Sequence, residues 1–448
     1  MIPILDFQRR SLTGPVMKSD DFDLAFAGRL RELVAQYEIK YDPEAFIVDD
    51  RTADAVFKAG VALLADIGLY HMDTQRVIKY TKEEILEIVS ERKNNPGKIT
   101  MGKGDDTFTI EYRTGEDTRP PANYAGAAGV IQEKWFVPFV QSIAQEKTVL
   151  GMGCTGGITK VGDIVPKSGT ITELYCGLWE QKQIFKVLDQ VGRPGMSLGL
   201  LQTVTTPAAI MGCIGPGLRE AHNTHIGIHI LPEQKINWSR LILAHFCQDR
   251  GIVPWQSAMS MIGGFCRDAA DNAVVLIANM LGQMSYGHGP MCTLFTTHMD
   301  GSLGTRNTIW ALCAAARASE RNIRIATGTC LLGSDHRKGT QTGFYISAAE
   351  AVAYTACGLS HAWLGGGTGL EARLLGEIMD VSAGMDKSRA NELVEGIMKK
   401  ADSLLGKEPL IEIFPEKYDL ETVKPKGEYE AKIMKAKEDI ARMGMPYK

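Results

Sequence analysis

The sequence predicts an α/β protein: a (β/α)8 TIM barrel with an N-terminal helical extension and a C-terminal helical tail. Three observations point there. From about residue 120 onward, short apolar or β-branched runs alternate with helical stretches at fairly even spacing. Eight such runs occur, and they end in Gly, Ser, Thr, His or Cys. The 448-residue chain is 44% hydrophobic and 23% charged, which suffices for one large core. A doubly wound open sheet is the competing architecture, but it seldom needs eight evenly spaced parallel strands.

The elements follow in order. Residues 1–118 read as a helical extension packed on the barrel. "TADAVFKAGVALLADIG" places apolar residues at helical spacing, with Thr52 as N-cap and Gly68 as the stop. In "YTKEEILEIVSERKNN", Thr81 followed three residues later by Glu84 is a capping box. Residues 119–376 form the catalytic barrel. Its strand runs are "PPANYAGAAG", "KTVLGMGCTGG", "GMSLGLLQT", "SRLILAHFC", "AMSMIGGFC", "GPMCTLFTTH", "IRIATGTCLL" and "YTACGLSHAWLGGG". Residues 377–448 turn helical and charged, a segment expected to pack back on the body. The glycine-rich phrases "LGGGTG" and "GCTGG" lack the Lys-Ser/Thr of a phosphate loop and do not fit GxGxxG. They read as tight turns at strand ends.

Bulk properties exclude several function classes. A net charge of −4 offers no basic surface for nucleic acid or an acidic membrane. No apolar run has the length of a membrane span, and the N-terminus has the wrong order of charge and hydrophobicity for a secretion signal. A cytoplasmic location is expected, in which the nine cysteines stay thiols.

Chemistry in such a barrel sits where strands end. The runs end in Gln202, His245, Cys266, Thr297–His298, Thr329–Cys330 and His361–Trp363, a rim rich in imidazole and thiol. Cys266, His298 and Cys330 lie at three consecutive ends and form a candidate zinc trio with one open position, Asp268 and Asp335 lying nearby. Against it, no CxxC or HExxH spacing is present, and cysteine and histidine are also common core residues. His222, His225 and His229 fall at i, i+3 and i+7, one face of a helix, with Glu220 just before them. They read as a ligand face or, preferably, as a stripe packed on the barrel wall. Tyr124, Phe265, Tyr286 and Trp363 can line a pocket for a flat apolar ligand or simply fill the core.

The chain also resembles the monomethylamine:corrinoid methyltransferase family over nearly its whole length. The resemblance rests on "FKAGVALLADIGLYHMDTQRVIKYTKEEI", "VGRPGMSLGL", "LILAHF", "IGGF" and "GTGLEARLLGEI". It implies a barrel that passes a methyl group from a small donor to the Co(I) corrinoid of a partner protein, and a homo-oligomer. Matching "GRPGM" places the family's pyrrolysine at Gly199, which should leave a hole where that long side chain projects. The regions implied to surround it read "GGFCRDAAD" and "GTCLLGSD", supplying Cys266, Arg267, Asp268 and Cys330. A changed cavity implies a changed donor.

The expected function is therefore methyl transfer from a methoxylated aromatic compound to the corrinoid protein, an O-demethylation. In this reading His245, His298, Asp268 and Asp335 serve catalysis. Gly199, Gln202, Phe265, Arg267, Thr329 and Trp363 bind the donor, and zinc is an optional Lewis acid for the ether oxygen. The alternatives are the same reaction on a methylated amine or quaternary ammonium donor, held in an aromatic cage, and a non-catalytic scaffold. No Asp-x-His-x-x-Gly segment offers a lower cobalt ligand, so the corrinoid is expected on the partner.

Overall fold

Eight short strands pair in parallel around a ring. They are β1 (Ala122–Gly126), β2 (Gly151–Cys154), β3 (Ser197–Leu200), β4 (His225–Gly227), β5 (Val253–Ile262), β6 (Met291–His298), β7 (Ala326–Leu331) and β8 (His361–Gly365). Hydrogen-bonded neighbours run β4-β5-β6-β7-β8-β1-β2-β3, and a parallel bridge from Leu198 to Thr224 joins the two ends. The TIM-barrel expectation thus holds. The computed structural model describes residues 1–448 apart from 128, 155, 332–338, 409–412, 448 and the side chain of Leu200.

Alternation along each strand sends every second side chain into the ring. The central layer holds Tyr124, Ser197, His225, Trp255, Thr293 and His361. The Tyr124 hydroxyl lies 3.3 Å from Ser197 Oγ and 3.2 Å from His225 Nε2. His361 Nε2 lies 3.1 Å from Thr293 Oγ1. Trp255 meets Tyr124, His225 and His361 edge-on, with centroids 5.2–5.9 Å apart. Aromatic edges over faces fill this layer while each polar tip keeps a partner.

Below the layer, the antiparallel hairpin Lys98–Met101 and Phe108–Glu111 closes the ring. Its Ile99, Met101 and Ile110 cluster with the strand-starting residues Ala122, Val253, Met291 and Ala326. Phe108 stands edge-on to Tyr124 at 5.7 Å. The helical reading of this extension missed the hairpin.

Helices form the outer wall. The extension contributes α1 (Ile4–Thr13), α2 (Ser19–Gln36), α3 (Asp50–Ile67) and α4 (Lys82–Asn94). The α4 capping box is present as expected, with Thr81 and Glu84 exchanging bonds. In α3 the N-cap is Asp49, which accepts from the Thr52 N–H; Gly68 ends the helix at φ 81°. The barrel adds α5 (Glu133–Ala144), α6 (Ile171–Gln190), α7 (Trp238–Arg250), α8 (Ala269–Gly287), α9 (Arg306–Asn322), α10 (Gln341–Ala356) and α11 (Gly369–Ser382). Because α2 and α3 cover it, α8 is buried along its whole length. The C-terminal α12 (Lys387–Leu404) packs on α10, and α13 (Gly427–Arg442) on α10 and α11. No helix among the described residues is long and apolar enough to cross a membrane.

The fourth strand is not where the sequence placed it. Ser239–Cys247 lies within α7, where Leu241, Leu243, Ala244 and Cys247 are buried while Ile242 and His245 are exposed. The true β4 lies in the stretch read as a helix bearing a histidine stripe. Histidines four apart share a face in an extended chain as well as in a helix, so the spacing of His225 and His229 does not decide between them. The extension braces the segment after β4: Leu69–His71 pairs in parallel with Lys235–Ile236 and antiparallel with Arg76–Ile78.

Candidate active site

A cleft of about 420 Å³ opens at the C-terminal ends of β2, β3 and β4. The loops after the first four strands line it. Gly129 and Val130 follow β1, Gly157 follows β2, and Leu201, Gln202, Val204, Thr205 and Ile210 follow β3. His225, Ile226 and Gly227 come from β4 itself, and His229 and Arg240 from the segment after it. The size is ordinary for a small-molecule site, and the wall is mostly apolar with a few polar groups.

Several of those polar groups carry an atom without a protein partner. Gln202 Oε1, His225 Nδ1, His229 Nδ1 and Arg240 Nε are each shielded from solvent and unbonded. Four such atoms gather at this cleft, where a bound ligand can complete their hydrogen bonds. Burial depresses the His225 pKa to about 3, helped by His361 and by the Arg219 guanidinium. Burial, then the Arg240 charge, takes His229 to about 3 as well. Both rings are neutral donors and acceptors near pH 7.

The sequence matches the family described as monomethylamine methyltransferase MtmB over residues 2–445. The chain belongs to the MtmB family. It is therefore a methyltransferase. It is 25% identical to the monomethylamine methyltransferase MtmB of Methanosarcina mazei, covering 99% of this chain and 98% of that protein. It is also 25% identical to MtmB2 of Methanosarcina acetivorans over the same shares. The crystal structure of the Methanosarcina barkeri monomethylamine methyltransferase superposes with a TM-score of 0.91 at 23% identity, covering 99% of this chain and 98% of that one. The hydroxylamine complex of MtmB gives the same TM-score.

Against this MtmB frame, the residues singled out from the sequence divide. Gln202 lines the cleft. Gly199 sits on β3, but no hole lies beside it: a Cβ there would overlap the Gly153 carbonyl on β2. The glycine serves close approach of two backbones. His245 is an exposed residue of α7, away from the mouth, because its run is helical.

The zinc trio is not assembled, and the described residues contain no cluster able to hold a metal. Cys266 is buried outside the ring beside Ser260, 3.2 Å away, and Glu233. His298 turns to the N-cap of α9, its Nε2 2.9 Å from Thr305 Oγ1. Cys330 clusters with Cys154 and Trp363 inside the barrel.

Asp268 caps α8, accepting from the Ala270 and Asp271 N–H groups at 3.0 Å. Arg267 pairs with Asp271 at 2.8 Å. Thr329 donates to the Leu294 carbonyl within the wall. Phe265 is 38% exposed on the loop after β5. Trp363 is nearly buried, with its indole N–H unpartnered. Tyr286 lies on α8 against Phe7, and His222 contacts Glu220 on the turn before β4. Asp335 lies outside the described residues. Arg240 was not foreseen: it sits in the run mistaken for a strand, and Asn237-Trp-Ser-Arg240 was a legible helix start, with Asn237 as N-cap.

Proposed function

We propose that this MtmB-family enzyme moves a methyl group from a methoxylated aromatic compound to the Co(I) corrinoid of a separate partner protein. One observation carries the reading. Among the described residues lining the cleft, none is acidic, none is Phe, Tyr or Trp, and the one charged group is Arg240. A protonated or quaternary amine needs a carboxylate or an aromatic cage, and the guanidinium repels it. An ether is uncharged. Its ring finds apolar surface on Val130, Leu201, Val204, Ile210 and Ile226.

The transfer breaks the O–CH3 bond and leaves the bonding pair on oxygen, while the reduced corrinoid of the docked partner supplies the pair that takes the methyl carbon. A proton must then reach the oxygen, since a phenol has a pKa near 10 by analogy with tyrosine. His225 serves that oxygen as a hydrogen-bond donor, because a neutral imidazole is a weaker acid than a phenol and cannot itself protonate the leaving phenolate. If Tyr124 donates its hydroxyl proton to Nε2, the imidazole proton sits on Nδ1, the nitrogen with no protein partner. Solvent supplies the proton that turns the leaving phenolate into the phenol. No metal ligand is needed for this route, and Gln202 is free to orient a ring substituent.

The test mixes the protein with its corrinoid partner in the Co(I) state and follows the corrinoid spectrum. Methoxybenzoate or a guaiacol-type donor is expected to methylate the corrinoid. Methylation by methylated amines and by no methoxy compound overturns the reading.

A further inference from the structure

We infer that the methyl donor carries a carboxylate and that Arg240 binds it. The inference rests on the reading of this cleft as the donor site. It begins with a mismatch. The deeply buried arginines of the chain each have protein partners even though one nitrogen of each is left over: Arg219 donates to Gln181 and the Leu198 carbonyl, Arg113 to the Leu359 and Asp117 carbonyls, and Arg317 pairs with Asp50 and Glu320. The half-buried Arg240 guanidinium has no hydrogen-bond or ion-pair partner among the described residues, and its Nε is sealed from solvent. Desolvation alone dominates its surroundings and lowers its pKa. An unmatched guanidinium at a cleft wall is costly unless a ligand completes it.

The rest of the site defines that ligand. Both neighbouring imidazoles are neutral, so the described lining carries a single positive charge and suits a monoanion better than a phosphate dianion. The guanidinium fork fits a carboxylate through two parallel bonds. The apolar wall accepts the body attached to it. The backbone beneath Arg240 is fixed in advance: Asn237 caps α7, the Trp238 N–H donates to Asp73 at 2.7 Å, and the Trp238 ring packs 4.1 Å from His71.

Calorimetric titration of the whole protein with benzoate, 4-methoxybenzoate and methoxybenzene tests this. Both carboxylates are expected to bind, and methoxybenzene at least ten-fold more weakly. Arg240→Gln should weaken benzoate roughly 10- to 100-fold and leave methoxybenzene unchanged, with Arg240→Lys intermediate. Equal affinity of wild-type protein for methoxybenzene and 4-methoxybenzoate overturns the inference without any variant. So does undiminished benzoate binding by Arg240→Gln, or a loss confined to association with the corrinoid partner. Methyl-transfer assays on the same samples separate the two claims. Carboxylate binding without transfer from any methoxy donor retires the proposed reaction and leaves the Arg240 site standing. Transfer from methoxybenzene at equal kcat/KM retires the Arg240 site and leaves the reaction.

Discussion

Gly199 and Gly153 face each other across β3 and β2, and a methyl group on Gly199 would strike the opposite carbonyl. Gly199→Ala is accordingly expected to destabilise the protein by about 1–3 kcal/mol, read as a lower Tm. An unchanged Tm would show free space there after all. The sequence announced a close approach at this residue but not its cause, because a ligand and a neighbouring backbone require the same missing side chain. Arg240 shows the complementary limit. Being unpaired is a property of the folded surroundings, so nothing in the letters around it distinguishes it from an arginine with a partner. Gln202 was legible because it lies two residues past the end of a strand that the pattern located correctly.

At the scale of elements, the runs around β1, β2, β3, β6, β7 and β8 enclose the observed strands, and β5 starts earlier than its run, at Val253. These strands are buried on both faces, so their apolar runs are nearly continuous and easily seen. β4 is three residues long, too short to show a period, and the apolar helix after it took its place. The stretch between β4 and α7 holds Glu233, buried beside Ser260 and Cys266. Burial raises its carboxyl from 4.5 to about 7. Between those values the native chain keeps a proton that the unfolded chain has lost, so stability falls as pH climbs through the window. Glu233→Gln keeps an acceptor for Ser260 and should raise Tm relative to wild type at pH 8, with the gap closing toward pH 4.5. A gap independent of pH would refute the assignment.

On the scale of the whole molecule, even strand spacing made the ring predictable, whereas the parts that bear on the cleft from outside were hidden. The sheet joining residues 69–71 to 235–236 links segments far apart in sequence, and no local pattern records such a pairing. The hairpin at the base did leave a trace in the alternation of "KITM" and "TFTIE", separated by "GKGDD". Its consequence is kinetic. A ring stoppered at one end leaves its other end, among the described residues, as the way in for a small donor and a bulky protein carrier, which must use it in turn. Turnover then has a compulsory sequence, donor before carrier, and demethylated product leaves only after the carrier departs. Isotope trapping reads this directly: labelled donor preloaded on the enzyme should be committed to turnover when carrier and excess unlabelled donor arrive together. Label lost entirely to the chase, or donor entering the carrier-bound enzyme as fast as the free one, would mean a second way in.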